Sequence, residues 1–307
     1  MSFVIAIVQA LVIMALAPLV SGMARVIRAK MHTRKGPSIF QDYYDIAKLF
    51  KRQDVHPADS SFIHRITPAV YLGVMLVLAM GIPMFTAWSP VPILGDIIVI
   101  LYLMALARFF FSLATLDSAD AYAGVGGLRE LLVGVLVEPT MILALFVTAL
   151  CVGSTNVGIM SQSVSLGFVS APISVILAGV AFAFACYVEL GKLPYDASEA
   201  EQEIQEGLLQ EYSGASLAMM HIAMPMKQII VASWFVAIFL PFGASLDFSI
   251  VGILIGIVTY LLKMLVFVLC ALIENLVSRV RFKLLGRQTW AMFGISVFAL
   301  VFCLMGI

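Results

Sequence analysis

Eight times along this chain a mostly apolar run extends far enough to suggest a bilayer crossing: 4–20, 69–88, 93–113, 131–152, 173–190, 229–240, 250–272 and 290–307. A helix needs roughly 20 such residues to traverse about 30 Å of hydrocarbon. The sixth run is the weakest, because Pro241 interrupts it early. Lipid offers no water to satisfy exposed backbone groups, so only helices and closed barrels can span it. Barrel strands alternate polar and apolar positions over about ten residues, and these runs do not alternate. Charged residues make up 12% of the sequence, against about 25% in soluble domains. The expected fold is an all-α integral membrane protein, a bundle of eight transmembrane helices forming one membrane domain over residues 1–307. Neither an internal repeat, a soluble domain nor a feature suited to nucleic acid is evident. The first run begins at Phe3 without a basic leader or small-residue cleavage site, and is expected to be retained as a span.

Lys and Arg set the orientation, since they accumulate on the cytoplasmic side. The connection 21–68 carries nine of them: Arg25, Arg28, Lys30, Arg34, Lys35, Lys48, Lys51, Arg52 and Arg65. The connection 114–130 holds Arg129, 191–228 holds Lys192 and Lys227, and 273–289 holds Arg279, Arg281, Lys283 and Arg287. The connections after the second, fourth and sixth runs have neither residue type. Four cytoplasmic loops therefore alternate with outer ones, and both termini are expected outside, which for a bacterial inner membrane means the periplasm. The Gly- and Ser-rich stretch 154–170 reads as a plain outer loop.

The chemistry should lie in the cytoplasmic loops or just beneath them. The four cysteines, Cys151, Cys186, Cys270 and Cys303, are dispersed among the apolar runs. Metal and iron–sulfur sites want clustered thiolates, so no metal site and no cofactor is expected on this chain. In the first cytoplasmic connection Tyr43, Ile46, Ala47 and Phe50 share a helical face, with Asp42, Asp45, Lys48 and Lys51 on the other. Such a helix lies in the membrane interface; its polar face serves either lipid head groups or a partner.

The most unusual stretch is acidic. Asp196, Glu199, Glu201, Glu203, Glu206 and Glu211 crowd together with Lys192 as the one Lys or Arg between Gly191 and Pro225. Like charges so close raise one another's pKa or require a cationic partner. Pro194 should end the preceding helix, and Ser198 could cap a new one bearing Glu199, Glu203 and Glu206 on one face. Arg129, beside Glu130 and a Gly-rich turn, is the nearest counter-charge, and a bidentate contact between Arg129 and a carboxylate of the acidic loop is expected. Within the apolar runs stand Arg108, Glu138, Glu189 and Lys263. A charge at the bilayer centre costs about 2.5–3.5 kcal/mol on insertion scales, so such residues serve a purpose. Arg108 either snorkels to the interface or is buried; for Lys263 a buried role is expected. Acids at staggered depth beside a lysine suit a proton relay, and a purely structural ion pair is the competing reading.

The run Glu189-Leu-Gly-Lys192-Leu-Pro-Tyr-Asp196-Ala-Ser-Glu199-Ala-Glu201-Gln-Glu203, ending in Glu211-Tyr-Ser-Gly214, resembles the acidic loop of the respiratory complex I subunit 1 family. Arg34-Lys-Gly-Pro37, Gln41, Asp45-Ile-Ala-Lys48-Leu49, Gly126-Gly-Leu-Arg129 and Glu138 follow the family order across nearly the whole chain. The chain departs from the quinone-reducing branch in three places. The insertion after Gly36-Pro37 is absent, Glu274-Asn-Leu-Val-Ser-Arg279-Val-Arg281-Phe-Lys283 replaces that branch's Pro-Arg run, and Lys192 stands in place of an arginine. In these respects it resembles the membrane-bound hydrogenase branch.

That resemblance implies a non-catalytic subunit of a formate hydrogenlyase-type complex that evolves hydrogen. It would anchor, on its cytoplasmic loops, a NiFe large subunit and an iron–sulfur small subunit, beside an antiporter-like membrane subunit. The NiFe centre and the clusters would belong to those partners. Asp196, Glu199, Glu201, Glu203, Glu138, Glu189, Lys263 and Arg108 become candidates for proton coupling. Arg129, Glu130, Lys192, Glu206, Glu211, Asp45 and Lys48 become candidates for loop ion pairing and docking. The alternative is a quinone-binding subunit of a respiratory NADH dehydrogenase-type complex.

Overall fold

A computed structural model describes residues 2–243 and 250–306. Its described residues form helices and connections, with one isolated bridge between Asp96 and Asn156. The long helices are α1 (Ser2–Met31), α3 (Phe62–Gly81), α4 (Ile97–Asp117), α5 (Ala121–Val152), α7 (Pro172–Glu189), α9 (Gly214–Phe239) and α12 (Phe282–Met305). These seven are long and apolar enough to cross a membrane, so the chain is a multi-pass membrane protein. Shorter helices are α2 (Gln41–Leu49), α6 (Val157–Leu166), the single turn α8 (Glu201–Ile204), α10 (Ile250–Lys263) and α11 (Leu265–Leu276). The expected seventh crossing, 250–272, is thus two helices broken at Met264, so eight continuous spans are not what the described residues form.

Local chemistry explains where the other boundaries moved. Ser61, Asp96 and Asp120 each accept a hydrogen bond from a first-turn amide of α3, α4 and α5, which pins those starts. Pro83 disfavours helix at Ile82, so α3 ends at Gly81 instead of reaching 88. The Gly-rich stretch read as a turn before 131 is the first part of α5. The weak sixth run is the end of a 26-residue helix, α9, which accommodates Pro225. Residues 154–170 are not a plain loop: Asn156 caps α6 and Gly167 closes it in the left-handed region at φ 73°, where glycine is unstrained.

At the centre, α5 packs against α4, α7 and α12, while α3 packs against α4 and α9. Met75, Leu78, Ile97, Ile100, Leu145, Phe182, Met220 and Trp234 are sealed in this core. Phe182 and Trp234 meet edge to face at 5.3 Å and 84°, the geometry that ring quadrupoles favour. The C-terminal ends of α1 and α7 and the N-terminal ends of α5 and α12 converge on one face of the bundle, because Arg28 pairs with Glu274, Arg279 with Asp196 and Arg129 with Glu203.

Candidate functional site: a buried charge cluster beneath the acidic loop

Arg108 projects from α4 into the bundle and is only 7% exposed. Its Nη2 donates to Glu189 Oε2 at 2.5 Å, its Nη1 pairs with Glu138, and its Nε lies 3.6 Å from Glu130 Oε1. Glu130, Gly134 and Glu138 recur every fourth residue along α5, so they form one stripe. The guanidinium lies on the bare middle of that stripe. A Cβ at Gly134 would come within 2.4 Å of Arg108 Nη1, and glycine is therefore what lets the arginine reach both acids. Snorkelling is excluded as the account of Arg108: it is buried and held by three carboxylates.

Lys227, from α9, completes the cluster. Its Nζ lies 2.9 Å from Glu189 Oε1 and 3.4 Å from Glu130 Oε1. Glu189 thus joins the arginine and the lysine through its two oxygens. Three carboxylates and two cations leave a formal charge of −1 when all are ionised. Removing one member of such a buried set typically costs about 3–5 kcal/mol, because it strands a desolvated partner.

Above the cluster sits the acidic loop. α7 ends at Glu189, and Gly191 turns the chain away at φ 63°. The expected helix from Ser198 does not form. Only α8 is helical, Ala200 takes the cap position, and Gln205 and Glu206 have left-handed φ values of 50° and 65°. Glu199, Glu203 and Glu206 therefore do not share a helical face, and the cluster of like charges is separated by turns instead. The loop is tied down from outside: Arg279 Nη2 donates to Asp196 Oδ2 at 2.8 Å and the Val280 amide donates to the Pro194 carbonyl at 3.0 Å. Arg129 Nη1 donates to Glu203 Oε2 at 2.8 Å, so the expected pairing is present, but through one nitrogen and from a helix, not as a bidentate contact between loops. That bond holds the Glu203 carboxyl below the usual carboxylate range.

Two cavities meet at Glu199. The first, about 30 Å³, is lined by Glu130, Glu189, Ser198, Glu199, Lys227 and Tyr71 among others, and is large enough for one or two waters. The second is about 820 Å³ and opens between α1, α9, the acidic loop and the end of α11. Its wall carries Arg25, Arg28, Lys192, Asp196, Glu199, Glu203, Glu206, His221, Glu274 and Arg279. Burial, then the Asp196 carboxylate, push the Glu199 carboxyl up to about 7, and Glu130 adds to this against the opposing pull of Lys192 and Lys227. Glu199, its carboxyl raised toward neutrality, thus lines both a wide polar cavity and a narrow one reaching the buried cluster.

The remaining sequence candidates fall into place unevenly. Glu211 is partly buried near the start of α9, Lys192 and Glu206 face the wide cavity, and Asp45 pairs with Lys48 at 3.6 Å on the exposed side of α2. On α2, Asp42 is buried against Arg25 at 3.0 Å, whereas Ala47 and Phe50 are exposed. The Glu201 side chain lies outside the described residues. Lys263 is partly buried at the α10–α11 break and makes no ion pair with Glu138, Glu189 or any other described residue, so the structure does not bring it to the relay it was expected to join. Lys227, Glu274 and Arg279 are the groups that sequence reasoning did not single out. The apolar run opens at 229 and leaves Lys227 in the preceding connection; the helix begins at Gly214 and makes it a charge inside a span. Among the described residues, no three His, Cys, Asp or Glu side chains are placed to hold a metal ion.

Residues 3–304 match the family described as NADH dehydrogenase. The chain is 48% identical over 305 residues to Hydrogenase-4 component C of Escherichia coli (strain K12), covering 99% of this chain and 96% of that one. It is 45% identical over 302 residues to Formate hydrogenlyase subunit 4 of the same organism, covering 98% of each. NADH-quinone oxidoreductase subunit 8 of Rhodothermus marinus is 30% identical over 217 residues, 66% of this chain and 61% of the relative. In fold the chain superposes with a TM-score of 0.85 on a chain of the membrane-bound sulfane sulfur reductase, an archaeal respiratory membrane complex, covering 100% and 99% of the two at 20% identity.

Proposed function

Since the chain belongs to the NADH dehydrogenase family, the family of respiratory complex I subunit 1, with near full-length similarity to two hydrogenase-system components, we propose that it is the membrane-anchoring and proton-coupling subunit of a formate hydrogenlyase-type complex. In this reading the chain performs no redox chemistry itself. The basic and acidic loops face the cytoplasm, where they dock a NiFe large subunit and an iron–sulfur small subunit that evolve hydrogen. An antiporter-like subunit lies beside it in the bacterial inner membrane, and both termini are periplasmic.

The observation that carries the coupling reading is the position of Glu199, shared by the wide cavity and the water-sized one that reaches Glu130, Glu189 and Lys227. A proton taken up by Glu199 reduces the negative charge facing Glu130. That change biases how Lys227 and Arg108 divide themselves among Glu130, Glu138 and Glu189. A redox event in a docked module changes the electrostatic potential at the acidic loop, and Glu199 is the group whose occupancy answers such a change at neutral pH. The quinone alternative is disfavoured by the wide cavity's wall, which is dominated by charged side chains where small-molecule sites are predominantly apolar.

The test is to purify the tagged chain in mild detergent and measure formate-dependent hydrogen evolution. Hydrogenase subunits should copurify with both the parent and Glu199→Gln, and the variant should evolve hydrogen severalfold more slowly. Absence of hydrogenase subunits would refute the docking reading, and parental activity in Glu199→Gln would refute the coupling role of that carboxyl.

A further inference from the structure

Cys151 Sγ and Cys303 Sγ lie 3.1 Å apart, closer than two unbonded sulfurs usually rest and about 1 Å from a disulfide bond length. We propose that these two residues form a disulfide on the outer face of the membrane, locking α12 to α5. Nothing in the hydrogenase reading requires it; the inference uses only the orientation given by the Lys and Arg distribution.

The helix pair, and not chance side-chain placement, sets the sulfur contact. α5 and α12 both begin at the face that carries the acidic loop and run parallel to the opposite one. Leu136 stands against Gly286, Thr140 Oγ1 reaches the Thr289 carbonyl at 3.5 Å, and Cys151 meets Cys303, all at a nearly constant offset along the two helices. Cys151 is the penultimate residue of α5, and Cys303 is two residues short of the end of α12. Both therefore sit at the far end of the bundle, next to the 153–171 connection, where the Ser170 hydroxyl donates to the Cys151 carbonyl at 2.9 Å. Cys186 and Cys270 lie close in sequence to Glu189 and Glu274, at the opposite end. With the acidic face inward, only Cys151 and Cys303 border an oxidising compartment.

The need for a tie is physical. α12 is the least buried of the seven long helices, with 17% of its apolar window inside the protein. Lipid tails are as apolar as its side chains, so no hydrophobic force holds it to α5. A bond between residues 151 and 303 also closes a long loop, the case in which a crosslink restricts the unfolded chain most.

The oxidant is a protein disulfide of a periplasmic thiol oxidoreductase. The Cys303 thiolate, on the less buried residue, attacks one sulfur of that disulfide and the other leaves as a thiolate. The Cys151 thiolate then displaces the oxidoreductase from Cys303. Two thiols lose two protons and two electrons, and the oxidant's disulfide becomes a dithiol.

The test quenches whole cells in denaturing acid to stop thiol exchange, redissolves the protein in denaturant at neutral pH and alkylates all free thiols there, then reduces the chain and counts newly exposed thiols with a maleimide-linked polymer. Wild type should gain two polymer units, and Cys151→Ser and Cys303→Ser should gain none. No gain in wild type, or a gain of two that persists in both variants, would overturn the proposal. On sealed right-side-out vesicles a membrane-impermeant phosphine should release the pair. Release only by a permeant reductant would place the bond inside and also overturn it, while leaving copurification with a hydrogenase module untouched.

Discussion

Glu199 shows how little of a residue's behaviour its own identity fixes. It is one of six neighbouring acids, yet Glu203, on Arg129, is held below the carboxylate range while Glu199 is pushed up to about 7 by burial and by Asp196. The consequence for stability has a definite sign. Between the ordinary glutamate value and about 7 the folded chain keeps a proton that the unfolded chain has lost, so this group's contribution falls as pH rises through that window and is level above it. Glu199→Gln removes the titration. Its melting temperature relative to the parent should therefore climb from pH 5 to pH 7 and then stay constant to pH 8.5 in detergent. A difference that does not change with pH would show that Glu199 titrates as an ordinary glutamate. Glu130, Glu138 and Glu189 were legible as candidates because each is an acid in or beside an apolar run; Lys227, their second cation, was not.

At the level of elements, the fit between α4 and α5 rests on an absent side chain. Arg108 crosses α5 at Gly134, where an added Cβ would meet Nη1 at 2.4 Å and Cδ and Cζ at 2.9 Å. Gly134→Ala must displace the guanidinium from Glu138, Glu189 or both. Thermal stability should drop by an amount matching overpacking, about 1–3 kcal/mol, and hydrogen evolution should drop with it. Gly124→Ala is the control on the same helix, because its nearest neighbour is Leu116 Cδ2 at 4.0 Å. It should be neutral or stabilising by up to about 1 kcal/mol, the helix-propensity difference between the two residues. Equal losses from both substitutions would show that α5 tolerates no side chain at either position, and that the arginine seat is not special. The long helices were readable in the apolar runs, but α6 and the helix boundaries were not. Caps at Ser61, Asp96 and Asp120 and the stop before Pro83 moved them by several residues.

For the molecule as a whole, the salient quantity is the polarity of the wide cavity. Ten of the residues on its wall of about 820 Å³ are charged or titratable, from Arg25 and Arg28 on α1 to Glu274 and Arg279 near α12. Ion pairs between α1 and α11 and between the acidic loop and the α11–α12 connection frame it. Small-molecule sites are predominantly apolar, so this wall suits an isoprenoid quinone poorly. Hydrogen evolution by the intact complex should therefore be unchanged, within a factor of two, by inhibitors that compete for quinone sites. Inhibition that added quinone relieves would favour the respiratory-dehydrogenase alternative instead.

Hydropathy and residue chemistry, which are local, determined the class of this protein: apolar length dictates membrane helices, the Lys and Arg pattern gives the orientation expected of them, and the acidic motif carries the family resemblance. Pairing is not local. Glu189 meets Lys227 across 38 positions of sequence and Arg108 across 81, through helices whose crossing points depend on one glycine and a few caps. Only the packed bundle could decide that Arg108 and Lys227 are the cations of the cluster, that Lys263 is not, and that Glu199 is the titratable group lining both cavities.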